Sequence, residues 1–466
     1  MTVSIKRLAL TTALTALGLS FGTMAYAAHA IPTDAEIQDA YLQGYGQVTF
    51  AINQERMTAT PIEVDGVGDH GMAPLNQFSY QVSLATPLET QVIRPNADIL
   101  YAEAEIDFDT GPLVLSVPDF GTRFYVLCMM DAGINVIHSV GSRATGQGAG
   151  TYLLTGPGWT GTVPAGMTQL SFPTRNIEIN GRILTTADPT DLASAVASEK
   201  QITLTPLSHW GRPYSPRPQK VHAVNPQFTS QLVYNSPGFA DSDYFTVMHQ
   251  TMFGNPPPAD QIQPYWLSVF KNAALFSAAD VTAVNAAMQT EFQTGGTITN
   301  GWHMPPSDIG EYTTDYILKA AVARYGTTAN APADAIYPFA LTDVNGNPLS
   351  SKNAYDIHFP AGQLPPVDGN GFWAITMYNN NGILIPNAAN KYTVGSEEGL
   401  ATNPDGSVDV YVQATQPTTV PISNWLPSSA VAPYGFNLFL RMYWPDQAVL
   451  NGTYQIPGVV VTAPVP

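Results

Sequence analysis

The sequence predicts a mainly β protein with a helical insert, in which two antiparallel β-sandwich or jelly-roll-like domains are joined by a helical segment. Three observations carry that reading. Between residues 94 and 158, apolar β-rich segments (100–106, Leu113–Val117, 124–129, 151–154) alternate with turns of Gly, Pro, Asp and Asn, the spacing of successive antiparallel strands. From 241 to 325 the apolar pattern changes to a helical period. Beyond 336 strands return around Asp343-Val344-Asn345-Gly346-Asn347 and Asn403-Pro404-Asp405-Gly406, whose Asn-Gly and Asp-Gly pairs favour tight hairpin turns.

In chain order, residues 1–27 begin with Lys6 and Arg7, continue through an apolar run and end in Ala25-Tyr26-Ala27. That pattern is a secretory signal peptide, so export to the periplasm or beyond is expected, with cleavage after about Ala27 and no membrane span afterwards. The mature chain is too long for one core. The expected division is an N-terminal β domain over 28–205, a Pro-rich strap and helical linker over 206–335, and a C-terminal β-sandwich over 336–466.

The first element after the leader is a helix over 33–60, capped by Thr33 or Asp34, with Ile37, Tyr41, Val48 and Ile52 on one face. A Gly/Asp-rich loop over 63–74 and a strand near 78–84 come next. Asp65, Asp69 and His70 in that loop fit no metal-ligand spacing, and a solvated turn is the better reading. A short helix over 188–200 is capped by Asp188 with Pro189 in its first turn. Pro206, Pro213, Pro216, Pro218 and Pro226 mark the strap, and helices over 241–253, 259–271, 278–292 and 308–325 form the insert.

Removing Lys6 and Arg7 leaves 16 basic against 36 acidic side chains, a formal charge of −20. Such a field repels phosphate backbones and anionic lipid heads, which excludes nucleic acid as an expected partner. The single cysteine, Cys128, sits in an apolar strand, and no intrachain disulfide can form. No metalloprotease helix, phosphate-cradling loop, dinucleotide fingerprint or cysteine pair is present, so neither a cofactor nor a metal is expected.

Several motifs in series carry a family resemblance. PNADILY (95–101), GPLVLSVPD (111–119), RFYVLCMMDAGINV (123–136), GSRATGQGAGTYLLTGPGW (141–159) and ITLTPLS (202–208) resemble the bacterial domain of unknown function twelve-fifty-four. LPPVDGNGFWAITMYN (364–379), GILIPN (382–387), NPDGSVDVYVQ (403–413), SNWLP (423–427) and FNLFLRMYWP (436–445) resemble its usual companion, the domain of unknown function twelve-fourteen. The resemblance implies two β-sandwich or jelly-roll-like domains joined by helices, and no established reaction. Where that family's pattern often has Asn-Arg-Tyr, this chain has Asn390-Lys391-Tyr392 and so lacks a forked guanidinium.

The polar residues within these motifs are the site candidates. Asp98, Asp131, Arg143 and Tyr101 form the catalytic set, because paired carboxylates with Arg and Tyr suit general acid/base work. Asn96, Asn135, Arg143, Trp302, Trp425 and Arg441 form the ligand-binding set, with aromatic faces for stacking and guanidinium groups for anions. The competing reading makes Asn96, Asp98, Asp131 and Asn135 turn fasteners. Two functions remain open: binding of a glycan or small organic ligand in the cell envelope, or a cofactor-independent hydrolase or lyase using paired carboxylates with Arg or Tyr. Exposed sheet edges leave homo-oligomerisation open.

Overall fold

The computed structural model describes residues 31–90, 92–221, 243–431 and 435–464; the expected leader (1–27) and the end of the expected Pro-rich strap lie outside the described residues. The chain is mainly β, with several mostly antiparallel sheets and a helical layer.

In the N-terminal half, a six-stranded sheet runs in the order Gly66–Val67, Phe78–Ser83, Ile99–Asp107, Asn176–Leu184, Tyr125–Asp131, Val136–Gly141. It faces a four-stranded sheet of Thr203–Pro206, Leu113–Val117, Gly150–Thr155 and Thr168–Ser171. Leu100, Ala102, Ile106, Leu127 and Ile179 of the first bury against Leu113, Leu115, Val117 and Leu154 of the second, which makes the pair a sandwich. The C-terminal half repeats the arrangement. There, Ile375, Met377, Leu438 and Leu440 of a seven-stranded sheet pack on Ile357, Phe359, Val408 and Val410 of a four-stranded one.

Helix Asp34–Met57 begins at Thr33 with a reciprocal capping box to Glu36. It packs on Tyr316–Tyr325, Asp243–Gly254 and Ala278–Thr294, so the N-terminal helix joins the insert in one layer. Two helices are shorter than their sequence pattern. Pro264 interrupts the expected 259–271 helix, leaving a single turn at Ala259–Gln261 and a restart at Trp266–Lys271. The expected 308–325 helix starts only at Tyr316, because Gly310 (φ 84°) and Thr313 (φ 45°) hold the chain in left-handed conformations and Asp315 caps the shortened helix.

The position of the helical layer has one large effect. On the second face of the six-stranded sheet, Tyr101, Glu103 and Glu105 stand directly opposite Arg182, Asn180 and Glu178. This face would be solvated in a simple sandwich. Here helix Asp34–Met57 and the C-terminal half cover it, and every residue of Asn176–Leu184 is buried. The two halves meet through Phe124, Phe372 and Tyr443, the last two stacked with centroids 4.5 Å apart.

Candidate functional site

A cavity of about 140 Å³ lies where both sheets and the helical layer converge. The N-terminal sheet and its loop contribute His70, Tyr101 and Arg182. Phe292, Leu318, Val322 and Tyr325 come from the helices, and Tyr337, Phe339, Phe439, Arg441 and Tyr443 from the C-terminal half.

Arg182 and Arg441 are both 5 % exposed, and both are held by neutral acceptors. Arg182 donates from Nη1 to Asn330 Oδ1 at 3.2 Å and from Nη2 to the Thr328 carbonyl at 2.6 Å. Arg441 donates from Nη1 to Thr376 Oγ1 at 3.1 Å and from Nη2 to the Arg94 carbonyl at 2.8 Å. Neither forms an ion pair among the described residues. Two buried cations without a partnered anion are costly, and such a cost is offset when an anion occupies the space they face.

The phenols beside them add donors. Asn96 donates from its backbone N–H to the Tyr101 hydroxyl at 3.2 Å and from Nδ2 to the Tyr443 hydroxyl at 3.0 Å, while Asn330 Nδ2 donates to the Tyr337 hydroxyl at 2.6 Å. Each phenol thus accepts, and its own O–H proton has no protein acceptor among the described residues. Burial pushes the Tyr101 and Tyr443 phenols upward, so both keep that proton.

His70 completes the set. Its Nδ1 lies 2.6 Å from Glu103 Oε2, its ring packs 4.5 Å from the Tyr101 ring, and Arg182 sits 5.8 Å from that same ring. Nε2 is buried and has no hydrogen-bond partner among the described residues. Burial pulls the imidazole pKa down, but the charge and hydrogen bond of Glu103, with the charge of Glu89, outweigh it and leave the net shift upward. Behind the dyad, burial and neighbouring carboxylates push Glu178 up to about 7 and Glu105 well above the usual carboxylate range.

The structure distributes the sequence candidates over several places. Tyr101 and Arg441 line the cavity, and Asn96 ties its phenols from behind. Asp98 lies behind Arg441; burial, opposed by that guanidinium, pushes its carboxyl up to about 7. Asp131 and Asn135 belong to a separate polar cavity with the buried Lys319, where Asp131 Oδ1 accepts from the Gly133 and Asn135 N–H groups at 2.8 and 2.9 Å and fastens the turn. Arg143 is engaged elsewhere, donating from Nε to Asp334 Oδ1 at 2.6 Å in an ion pair that joins the two halves. Asp98, Asp131 and Arg143 therefore do not share one pocket. Trp302 and Trp425 turn inward and donate to the carbonyls of Pro457 and Gln413, each at 2.8 Å. Lys391, in place of the arginine, pairs with Glu398.

Sequence reasoning missed His70 as a site residue, and Glu103, Arg182 and Tyr337 altogether. A signal was present. Charged residues make up only 12 % of the chain, against about 25 % in ordinary domains, yet Glu103, Glu105, Glu178 and Arg182 crowd two paired strands.

Beyond the cavity, Asp356, His358 and Asp409 bring ligand atoms together on the C-terminal sheet, with His358 half exposed. No helix among the described residues is long and apolar enough to cross a membrane.

No curated protein matches the chain. Among solved structures, the VPA0106 protein of Vibrio parahaemolyticus is similar at 23 % identity with a TM-score of 0.61, over 92 % of this chain and 100 % of that one, a likeness in fold. An uncharacterised protein from Burkholderia cenocepacia matches at 14 % identity and a TM-score of 0.46, over 90 % of this chain and 87 % of that one. Residues 75–206 match the family described as protein of unknown function DUF1254, and residues 334–447 the one described as protein of unknown function DUF1214. The chain thus belongs to the proteins that pair an N-terminal DUF1254 domain with a C-terminal DUF1214 domain.

Proposed function

We propose that the protein is an exported receptor for a small organic carboxylate, held in the cavity between its two halves. One observation carries the reading: Arg182, Arg441 and the hydroxyls of Tyr101, Tyr337 and Tyr443 present more buried hydrogen-bond donors than the protein supplies acceptors. A carboxylate satisfies such donors and neutralises the cations. Phe292, Phe339, Phe439, Leu318 and Val322 supply apolar wall, and Glu291, Arg94 and His303 are further charged or titratable groups of the lining. The volume of about 140 Å³ matches a body the size of benzene, for which about 150 Å³ suffices, and is far too small for a glycan chain. Export rests on the leader at 1–27.

The test is a melting-temperature titration of the mature chain with benzoate and, as the neutral counterpart, benzamide. Benzoate at 100 times its dissociation constant is expected to add about 2.7 kcal/mol to stability. Benzamide is expected to do nothing, Arg182→Met and Arg441→Met to erase the effect, and Arg143→Ala to keep it, since Arg143 serves Asp334 instead. Equal shifts from amide and acid, or undiminished binding by both arginine variants, would sink the proposal.

A further inference from the structure

We infer that the cavity is catalytic as well as receptive, with His70 as the base that removes a proton from the carbon next to the carbonyl of a bound 2-oxo carboxylate. The inference rests on the carboxylate reading above and adds a reaction to it.

The donors outnumber what a simple carboxylate can use. Arg182, Arg441 and the phenols of Tyr101, Tyr337 and Tyr443 are among the donors that line the cavity, while a carboxylate offers two oxygens. A third oxygen on the adjacent carbon uses the remainder. Donors in that position, aimed into an apolar chamber, also stabilise the negative charge that develops on that oxygen when the neighbouring C–H bond ionises.

The base stands beside the donors. The His70 ring centroid lies 4.5 Å and the Arg182 Cζ 5.8 Å from the centroid of the Tyr101 ring, so the imidazole and the guanidinium share that phenol as a neighbour. Glu103 accepts from Nδ1, which leaves the Nε2 lone pair of the neutral imidazole facing the cavity, buried and without a protein partner among the described residues. Glu103 is the positioning residue: it fixes the tautomer and the ring. The groups that set the dyad's charge are Glu103, Glu89 and Arg56. The second imidazole of the chamber, His303, packs on Phe339 at 4.4 Å and has no acidic partner to orient it among the described residues.

The step balances without a further reagent. The C3–H bond breaks and its proton goes to Nε2. The electron pair becomes the C2=C3 bond, and the C2 carbonyl becomes an enolate oxygen held by the donors. Return of a proton to C3 restores the 2-oxo acid, so in heavy water the product is the same acid carrying deuterium at C3.

The experiment follows the C3 proton signal of 2-oxobutanoate by NMR in deuterated buffer, with melting-temperature shifts by the same compound measured in parallel. Wild type is expected to exchange that proton at least about 100-fold faster than an equal concentration of imidazole, the lower range for a positioned general base. His70→Gln should lose the exchange and keep the melting shift. Glu103→Gln should move the rate profile to lower pH, since it removes the group that raises the imidazole pKa. A melting shift without exchange, exchange unchanged in His70→Gln, or exchange lost only in His303→Gln would overturn the inference and leave the receptor standing. If neither 2-oxobutanoate nor benzoate shifts the melting temperature, the carboxylate reading falls and this one with it.

Discussion

Asp98→Asn offers the sharpest test of the cavity's electrostatics. The wild-type carboxyl is 8 % exposed, its Oδ1 has no hydrogen-bond partner among the described residues, and burial pushes its pKa from 3.8 to about 7 against the pull of Arg441. Between those two values the folded state binds more protons than the unfolded state, so this group's contribution to stability falls as pH rises. At about 1.4 kcal/mol per pH unit, the loss is about 3 kcal/mol by pH 6 and about 4 kcal/mol by pH 8. Asparagine cannot ionise and carries none of this slope. Urea unfolding of both proteins from pH 3.5 to 8 should therefore show the variant gaining about 4 kcal/mol on wild type across the range. A second readout belongs to the same carboxyl. Once ionised, Asp98 supplies Arg441 with an anion of its own, and benzoate affinity should fall above pH 7 in wild type but not in the variant. Parallel stability curves, with affinity equally pH-dependent in both proteins, would refute the reasoning.

Three further outcomes are expected. Phe372→Ala, which empties the fully buried ring stacked on Tyr443 between the halves, should cost about 3–5 kcal/mol by denaturant unfolding. Arg143→Ala should cost only about 1–2 kcal/mol by the same assay, because the guanidinium side chain is 33 % exposed although it leaves Asp334 buried. Burial pushes the Cys128 thiol up to about 12, so a thiol reagent at neutral pH should label the unfolded chain and leave the native one unmodified for hours.

Much of the fold was legible because its signals are local. Thr33, one of the two caps the sequence offers, does start the first helix, and Asp343 accepting from the Asn345 and Asn347 N–H groups closes the turn its sequence forecast. The site was legible in fragments only. Tyr101 and Arg441 stood out because they lie in motif-rich strands, but their shared chamber depends on packing between residues more than three hundred positions apart. Arg182 drew no attention, since alternation along a strand such as Asn176–Leu184 ordinarily gives one wet face and nothing local reveals that helices and the C-terminal half cover it. Arg143 misled for the converse reason: its packing duty is Asp334, nearly two hundred residues downstream. His70 sits in a loop whose composition reads as a solvated turn, and only tertiary contact with Glu103 and Tyr101 makes it a buried imidazole.

The chamber walls are shared between domains that each have a complete core. Arg182 and Tyr101 lie within 75–206, Arg441 and Tyr443 within 334–447, and neither set alone encloses a volume or collects both cations. Modularity in folding is thus not modularity in heredity. Each sandwich has its own core, but the chamber is complete only when both are present together with the helices between them. On the reading proposed above, a chain that carries one of the two domains would hold only half of the receptor's walls.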